Sequence, residues 1–205
     1  MICNLDSNIN NKEIIKIIDD IQDMCNNVLI LYKAYGKKNQ ELSDLANLAY
    51  NLLWIYSKSL IVLKMLLNSS VRCEQDYALG QICVTVNEGI KAVIGFTPDK
   101  RNTSLWIGQM GKYILEQVEL KSQYDKITND LIRCADTIDH ERQMKTIRDL
   151  ATHGNSNIEE LLKLHMVSNS EVFSYLDKWS RCLWPAANFA YVCFERECQQ
   201  EKNNK

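Results

Sequence analysis

Turn-forming residues are scarce in this chain: 205 residues hold 7 glycines and 2 prolines. Sandwiches and barrels need tight turns at short, regular intervals, so the shortage excludes a hairpin-rich architecture and points to an all-α one. Long hydrophobic runs are missing as well. The most apolar stretch, Leu52 to Leu67, is interrupted by Ser57, Lys58, Ser59 and Lys64, which argues against a bilayer-spanning helix and against a membrane partner. Met1 to Lys12 is polar and Asn-rich, with no apolar core of the kind a secretory signal carries, and a cytoplasmic location is expected. Neither sign of charge is in excess. Lys and Arg number 24 against 26 Asp and Glu, a net charge of -2, which excludes the broad basic field of a non-specific nucleic-acid binder. Any contact with RNA must come from a local patch.

Several chemistries are also missing their signatures. The 8 cysteines include no C-x-x-C pair, and in a reducing compartment they are expected to stay as thiols. Cys25, Cys83, Cys134 and Cys193 fall on or near apolar helical stripes, where cysteine serves as a small buried hydrophobe. His140, His153 and His165 do not stand at zinc-ligand spacing with one another or with cysteines. No glycine loop is built to cradle a phosphate and no G-x-S-x-G elbow is present. Neither a metal nor another cofactor is expected.

What the chain does have is helical periodicity. Ile14, Ile17, Ile18, Ile21, Cys25, Val28 and Tyr32 recur at three and four, predicting a helix that begins after Asn10 or Asn11 and runs to Tyr35, with Gly36 as its stop. A second helix from about Gln40 carries Leu42, Leu45, Ala49, Leu52, Leu53, Tyr56, Leu60 and Leu63 and ends at Asn68, Ser69 and Ser70. The short connection makes the two an antiparallel pair. Residues 71–95 contain a β-branched run, Ile82-Cys83-Val84-Thr85-Val86, that a strand would favour. Over the longer window Leu79, Ile82, Cys83, Val86, Ile90 and Val93 fit a helical stripe, and length decides for helix.

Phe96 to Thr103 reads as a loop, after which Thr103 or Ser104 caps a helix carrying Trp106, Met110, Tyr113 and Gln117. A break is expected near Ser122 to Thr128, then a stripe of Ile127, Leu131, Cys134 or Ala135, and Ile138. The stripe fails at Asp139-His140-Glu141-Arg142 and resumes with Met144, Ile147 and Ala151. Gly154 stops that helix; Ser156 and Asn157, followed by Glu159 and Glu160, start a short one to about Met166. After a break at Ser168 to Ser170, Glu171 to Cys198 holds the densest aromatic run: Phe173, Tyr175, Trp179, Trp184, Phe189, Tyr191 and Phe194. These rings suit core or dimer packing, and Pro185 is expected to kink or split the helix. The prediction is a single all-helical domain over residues 1–198, an up-and-down helical bundle of five to seven helices, with 199–205 a disordered tail.

One stretch looks like chemistry: Arg148-Asp149-Leu150-Ala151-Thr152-His153-Gly154. It resembles the signature of the HEPN family of small all-helical proteins, an arginine and a histidine separated by four to six residues, with a polar residue, here Asp149, after the arginine. The resemblance implies a bundle that dimerises and a metal-independent RNase whose motif copies from two subunits face one cleft. It also implies a second copy of the chain, an RNA substrate and an antitoxin as partners. One branch of the family carries a tyrosine two positions after the histidine as a target for modification. Asn155 stands there in this chain, so that regulation is not expected.

The residues can be read without the family. On an ideal helix Arg148 and His153 lie about 140° apart with a rise of roughly 7.5 Å, so they share no face. They converge on one phosphate if His153 sits where the helix ends, or if the two come from different subunits. Asp149 and His153 are four apart and do share a face, which lets the carboxylate fix the imidazole tautomer. Cleavage of RNA by its own 2′-hydroxyl needs proton transfer, assigned to His153, and positive charge on the phosphorane oxygens, assigned to Arg148. Asp149 orients, and Thr152 or Asn155 contacts sugar or base. A plainer reading is that Arg148 and His153 complement the dipole of a last helical turn that Gly154 caps. Arg133 and His140 meet the same spacing, but Cys134 follows the arginine. The alternative function is a catalytically silent helical interaction or scaffold protein using its aromatic C-terminal stretch as the contact.

Overall fold

The computed structural model describes residues 11–95, 98–139 and 169–203, and every regular element among them is helical. The long elements are α1 (Asn11–Ala34), α2 (Gln40–Asn68) and α3 (Arg72–Val93). A short turn α4 (Pro98–Arg101) and a π-helical turn (Leu105–Met110) lead into α5 (Gly111–Ile114), followed by α6 (Lys121–Asp139) and α7 (Asn169–Asn203). This is the all-α bundle that the periodicity and the shortage of glycine and proline predict.

The apolar stripes decide the packing. Ile14, Ile21, Cys25 and Val28 of α1 bury against α2, and the pair is antiparallel, since Asn11 Nδ2 at the start of α1 donates to Asn68 Oδ1 at the end of α2, 2.6 Å away. Asn39 supplies the cap between them, its side chain accepting from the Leu42 N–H at 3.2 Å. The β-branched run of α3 is helical, with Ile82, Cys83, Val86, Ile90 and Val93 facing inward. A strand would have sent Ile82 and Cys83 to opposite faces; the helix buries both. Helix α7 threads the bundle, touching α1, α2, α3 and α6. It runs antiparallel to α2, with Trp184 against Tyr56 at a ring separation of 5.1 Å and Glu197 beside Leu42.

Several local expectations need correcting. Gly36 is not a left-handed stop: α1 ends at Ala34 and Gly36 opens a 3-10 turn (Gly36–Lys38), packed so close to the Tyr32 ring that a Cβ there would lie 2.5 Å from it. The left-handed glycine is Gly95 (φ 78), which ends α3 and folds the chain back onto Lys100 and Arg101. The loop expected from Phe96 to Thr103 contains the helical turn α4. Ser104 is the cap, as expected, but the turn it opens is π-helical, its hydroxyl accepting from the Gly108 N–H.

The break expected near Ser122 to Thr128 comes earlier, at Leu115 to Leu120. Trp106, Met110 and Ile114 bury in sequence and then no side chain is buried before Ile127, so the apolar phase that would continue the helix is lost there. A 3-10 turn (Val118–Leu120) bridges the gap.

Helix α7 is unbroken from Asn169, which the sequence assigns to a break, to Asn203, well into the stretch expected to be a tail. Cys198 is buried, and Glu201 and Gln200 border a polar recess, so these residues have contacts that a tail would not. Pro185 does not split the helix either. A proline inside a helix costs roughly 3 kcal/mol, and the fully buried Leu183, Ala186, Ala187 and Ala190 around it offset that by packing. The aromatic run goes mainly to the core: Tyr175, Trp179, Phe189 and Phe194 are buried.

Candidate functional site

Arg148, Asp149, Thr152, His153 and Asn155 lie outside the described residues, as do Asn157, Glu159 and the rest of residues 140–168. All three histidines fall in that segment, so any imidazole chemistry belongs to it. The fold defines where the segment is rooted. Trp106 packs between Tyr124, early in α6, and Phe189, late in α7, while further along Cys134 of α6 meets Cys182 of α7. The two helices are therefore antiparallel. Residues 140–168 connect Asp139 to Asn169 at the end of the bundle where α1 begins and α2 ends.

A polar recess of about 610 Å³ opens at the opposite end, between α2, α5 and the last turns of α7. Glu41, Asp44, Glu116, Glu197 and Glu201 line it, and Lys112 is the one lysine or arginine among the described residues that lines it directly. Its rigid side is a network around Arg196. Nη2 donates to Gln117 Oε1 at 2.7 Å, to the Tyr113 hydroxyl at 3.0 Å and to Glu197 Oε1 at 3.1 Å, and Nη1 donates to Glu119 Oε1 at 3.1 Å. Tyr113 in turn donates to Glu197 Oε1 at 2.7 Å. Burial, with the Glu197 carboxylate beside it, holds the phenol well above its ordinary pKa. Here lies the reason for the early helix break: Gln117 and Glu119 leave the helical path and reach Arg196. A carboxylate-walled recess repels a phosphodiester, so it has the wrong sign for RNA. Among the described residues no group of three or more His, Cys, Asp or Glu side chains is placed to hold a metal ion.

A second concavity, about 460 Å³, lies between α6 and α7. Its floor contains Cys134 and Cys182, and its rim carries Arg133, Lys178 and Arg181. Arg133 pairs with Asp130, and Arg181 Nε lies 2.9 Å from both carboxylate oxygens of Asp177. Arg133, which the sequence offers as half of a second Arg–His pair, thus borders a thiol groove. The sequence reading treats Cys134 as a small buried hydrophobe and does not single out Cys182. No spacing pattern could have paired them, because they meet only through the antiparallel packing of two helices separated by residues 140–168.

A comparison of the chain with family models, with curated proteins and with solved structures finds no match. The functional reading accordingly stands on the residues of this chain.

Proposed function

We propose that the chain is a metal-independent endoribonuclease of HEPN type that works as a homodimer. The observation that carries the reading is the run Arg148-Asp149-Leu150-Ala151-Thr152-His153-Gly154 in a chain whose described part is an all-α bundle. His153 transfers the proton between the 2′-hydroxyl and the leaving 5′-oxygen, and Arg148 donates to the equatorial oxygens of the phosphorane as negative charge builds there. Asp149, four residues before His153 in sequence, fixes the imidazole, and Thr152 or Asn155 contacts the sugar or base. A second copy brings a second motif to the cleft, an RNA is the substrate, and an antitoxin holds the activity in check. Its place of action is the cytoplasm.

Two features support this over the silent interaction module. The rings that such a module would present at its C-terminal stretch are mainly used inside the bundle. The acidic recess also keeps polyanions away from the end of the bundle opposite Asp139 and Asn169, so an RNA-facing surface is expected on the side where residues 140–168 are rooted.

The test is purified protein incubated with total RNA in EDTA, wild type beside His153→Ala and Arg148→Ala. Cleavage by the wild type that leaves 2′,3′-cyclic phosphate ends, and its disappearance in both variants with the helical CD signal intact, is the expected result. Cleavage by His153→Ala at the wild-type rate would refute the assignment. Sedimentation of the wild type as a monomer at working concentration would remove the shared-cleft geometry.

A further inference from the structure

We infer that Cys182 and Cys134 form a peroxide-reactive dithiol, in which a hydroperoxide entering the groove between α6 and α7 oxidises Cys182 and Cys134 then closes a disulfide joining the two helices. The inference does not rest on the nuclease reading.

The geometry gives the two thiols different parts. Both lie on the facing surfaces of antiparallel helices, line the same groove, and each shifts the other's ionisation. Cys182 is half-buried and reachable from the groove, while Cys134 is buried beneath it. The groove is wide enough to admit a small hydroperoxide, and its rim supplies Arg133 from α6 and Lys178 and Arg181 from α7. Asp130 on α6 and Asp177 on α7 are the opposing charges, and each is engaged by an arginine.

The neighbouring Cys134 thiol lowers the Cys182 pKa; burial and Asp130 oppose the shift and Arg133 adds to it. The Cys182 thiol, together with burial, in turn holds the proton on Cys134. One thiol is therefore biased to the nucleophilic thiolate and its neighbour to the protonated form. The other buried cysteines differ: burial raises the pKa of Cys25, Cys83, Cys193 and Cys198, and they sit in the core.

The chemistry balances. The Cys182 thiolate attacks the terminal oxygen of the hydroperoxide, the O–O bond breaks, and the alkoxide leaves as alcohol by taking a proton from solvent. This gives a sulfenic acid on Cys182. The Cys134 sulfur, losing its proton, attacks the Cys182 sulfur, the S–O bond breaks and hydroxide leaves as water. Two thiols are oxidised by two electrons in total and one hydroperoxide is reduced. The product bond clasps α6 to α7, the helices from which residues 140–168 leave and to which they return.

The test uses the full chain with Cys3→Ser and Cys73→Ser, which removes the exposed Cys73 and the cysteine near the N-terminus, and hydrogen peroxide as the probe. After equimolar peroxide, titration of the denatured, unreduced protein should show two thiols lost. Digestion with trypsin and chymotrypsin, which separates Cys182 from Cys193, should yield a disulfide-linked pair of peptides containing Cys134 and Cys182. Cys134→Ser should stop at a sulfenic acid on Cys182 that dimedone traps, and Cys182→Ser should slow oxidation of Cys134 at least about tenfold. The inference is overturned if all thiols remain free in peroxide, if the linked peptides join other cysteines, or if Cys182→Ser oxidises at the parent rate. Because the peptide map of the parent protein decides the pairing, a variant that fails to fold does not rescue the idea.

Discussion

Replacing Trp106 with alanine is expected to destabilise the protein by about 3–5 kcal/mol, a large share of what holds a domain of this size folded. Trp106 is completely buried and joins three elements. It belongs to the π-helical turn, stacks on Tyr124 of α6 at a ring separation of 5.2 Å and meets Phe189 of α7 edge-on at 5.9 Å. Its indole Nε1 donates to the Thr128 hydroxyl at 2.8 Å. Thr128 also donates to the Tyr124 carbonyl, so truncation does not strand the hydroxyl, and the loss is mostly ring packing and the cavity left behind. Trp106→Phe keeps an aromatic ring but loses the hydrogen bond and part of the volume, and should cost about 1–2 kcal/mol. Urea unfolding followed by far-UV CD measures both. A loss below about 1 kcal/mol for the alanine variant would mean that the junction of α6 and α7 does not depend on this residue.

Trp106 also illustrates what the sequence made legible. Its place on an apolar face is readable because helical periodicity reports which side chains go inward, and the same signal located α1, α2, α3 and the stripe of α6 to within a residue or two. Its partners were not readable, because Tyr124 and Phe189 come from elements far apart in the chain. The corrections share a cause. Gly36, Pro185 and the residues after Cys198 depart from local propensity where packing prevails: the Tyr32 ring one turn before Gly36 crowds it, the residues around Pro185 are buried in the bundle, and Gln200 and Glu201 border the polar recess. The early break at Leu115 follows the same rule, since Gln117 and Glu119 turn toward an arginine 77 or more positions away.

For the site the balance is reversed. The Arg148 to Gly154 run is local in sequence, so it was legible at once, and it lies outside the described residues. The Cys134 and Cys182 pair is legible only in three dimensions. A cysteine on an apolar stripe carries the same pattern whether it faces the core, as Cys83 does, or another thiol across a groove.

Alkali should unfold this protein steeply, and the buried thiols set the window. Burial pushes the Cys83 and Cys193 thiols up to about 12 from an ordinary value of 9.0. Between those values the unfolded chain has released protons that the folded chain still holds. The stabilisation is therefore complete below about pH 9 and is lost as pH rises toward 12, at about 1.4 kcal/mol per pH unit for each thiol. The two together remove about 3 kcal/mol per unit, and Tyr191, raised from 10.0 to about 12 by burial and its bond to Glu195, adds to the slope above pH 10. Over the three units the two thiols remove about 8 kcal/mol, comparable with the whole 5–15 kcal/mol that usually holds a domain of this size folded. Cys83→Ala separates this effect from general alkaline damage. The variant loses roughly 1–2 kcal/mol of packing near pH 8, but it no longer carries the Cys83 proton, so its stability should fall more gently. Urea midpoints at about pH 8 and about pH 10.5 should show the gap between variant and wild type closing or reversing. Parallel curves would mean that Cys83 ionises as readily in the folded bundle as in the open chain, contrary to its burial at the centre of α3.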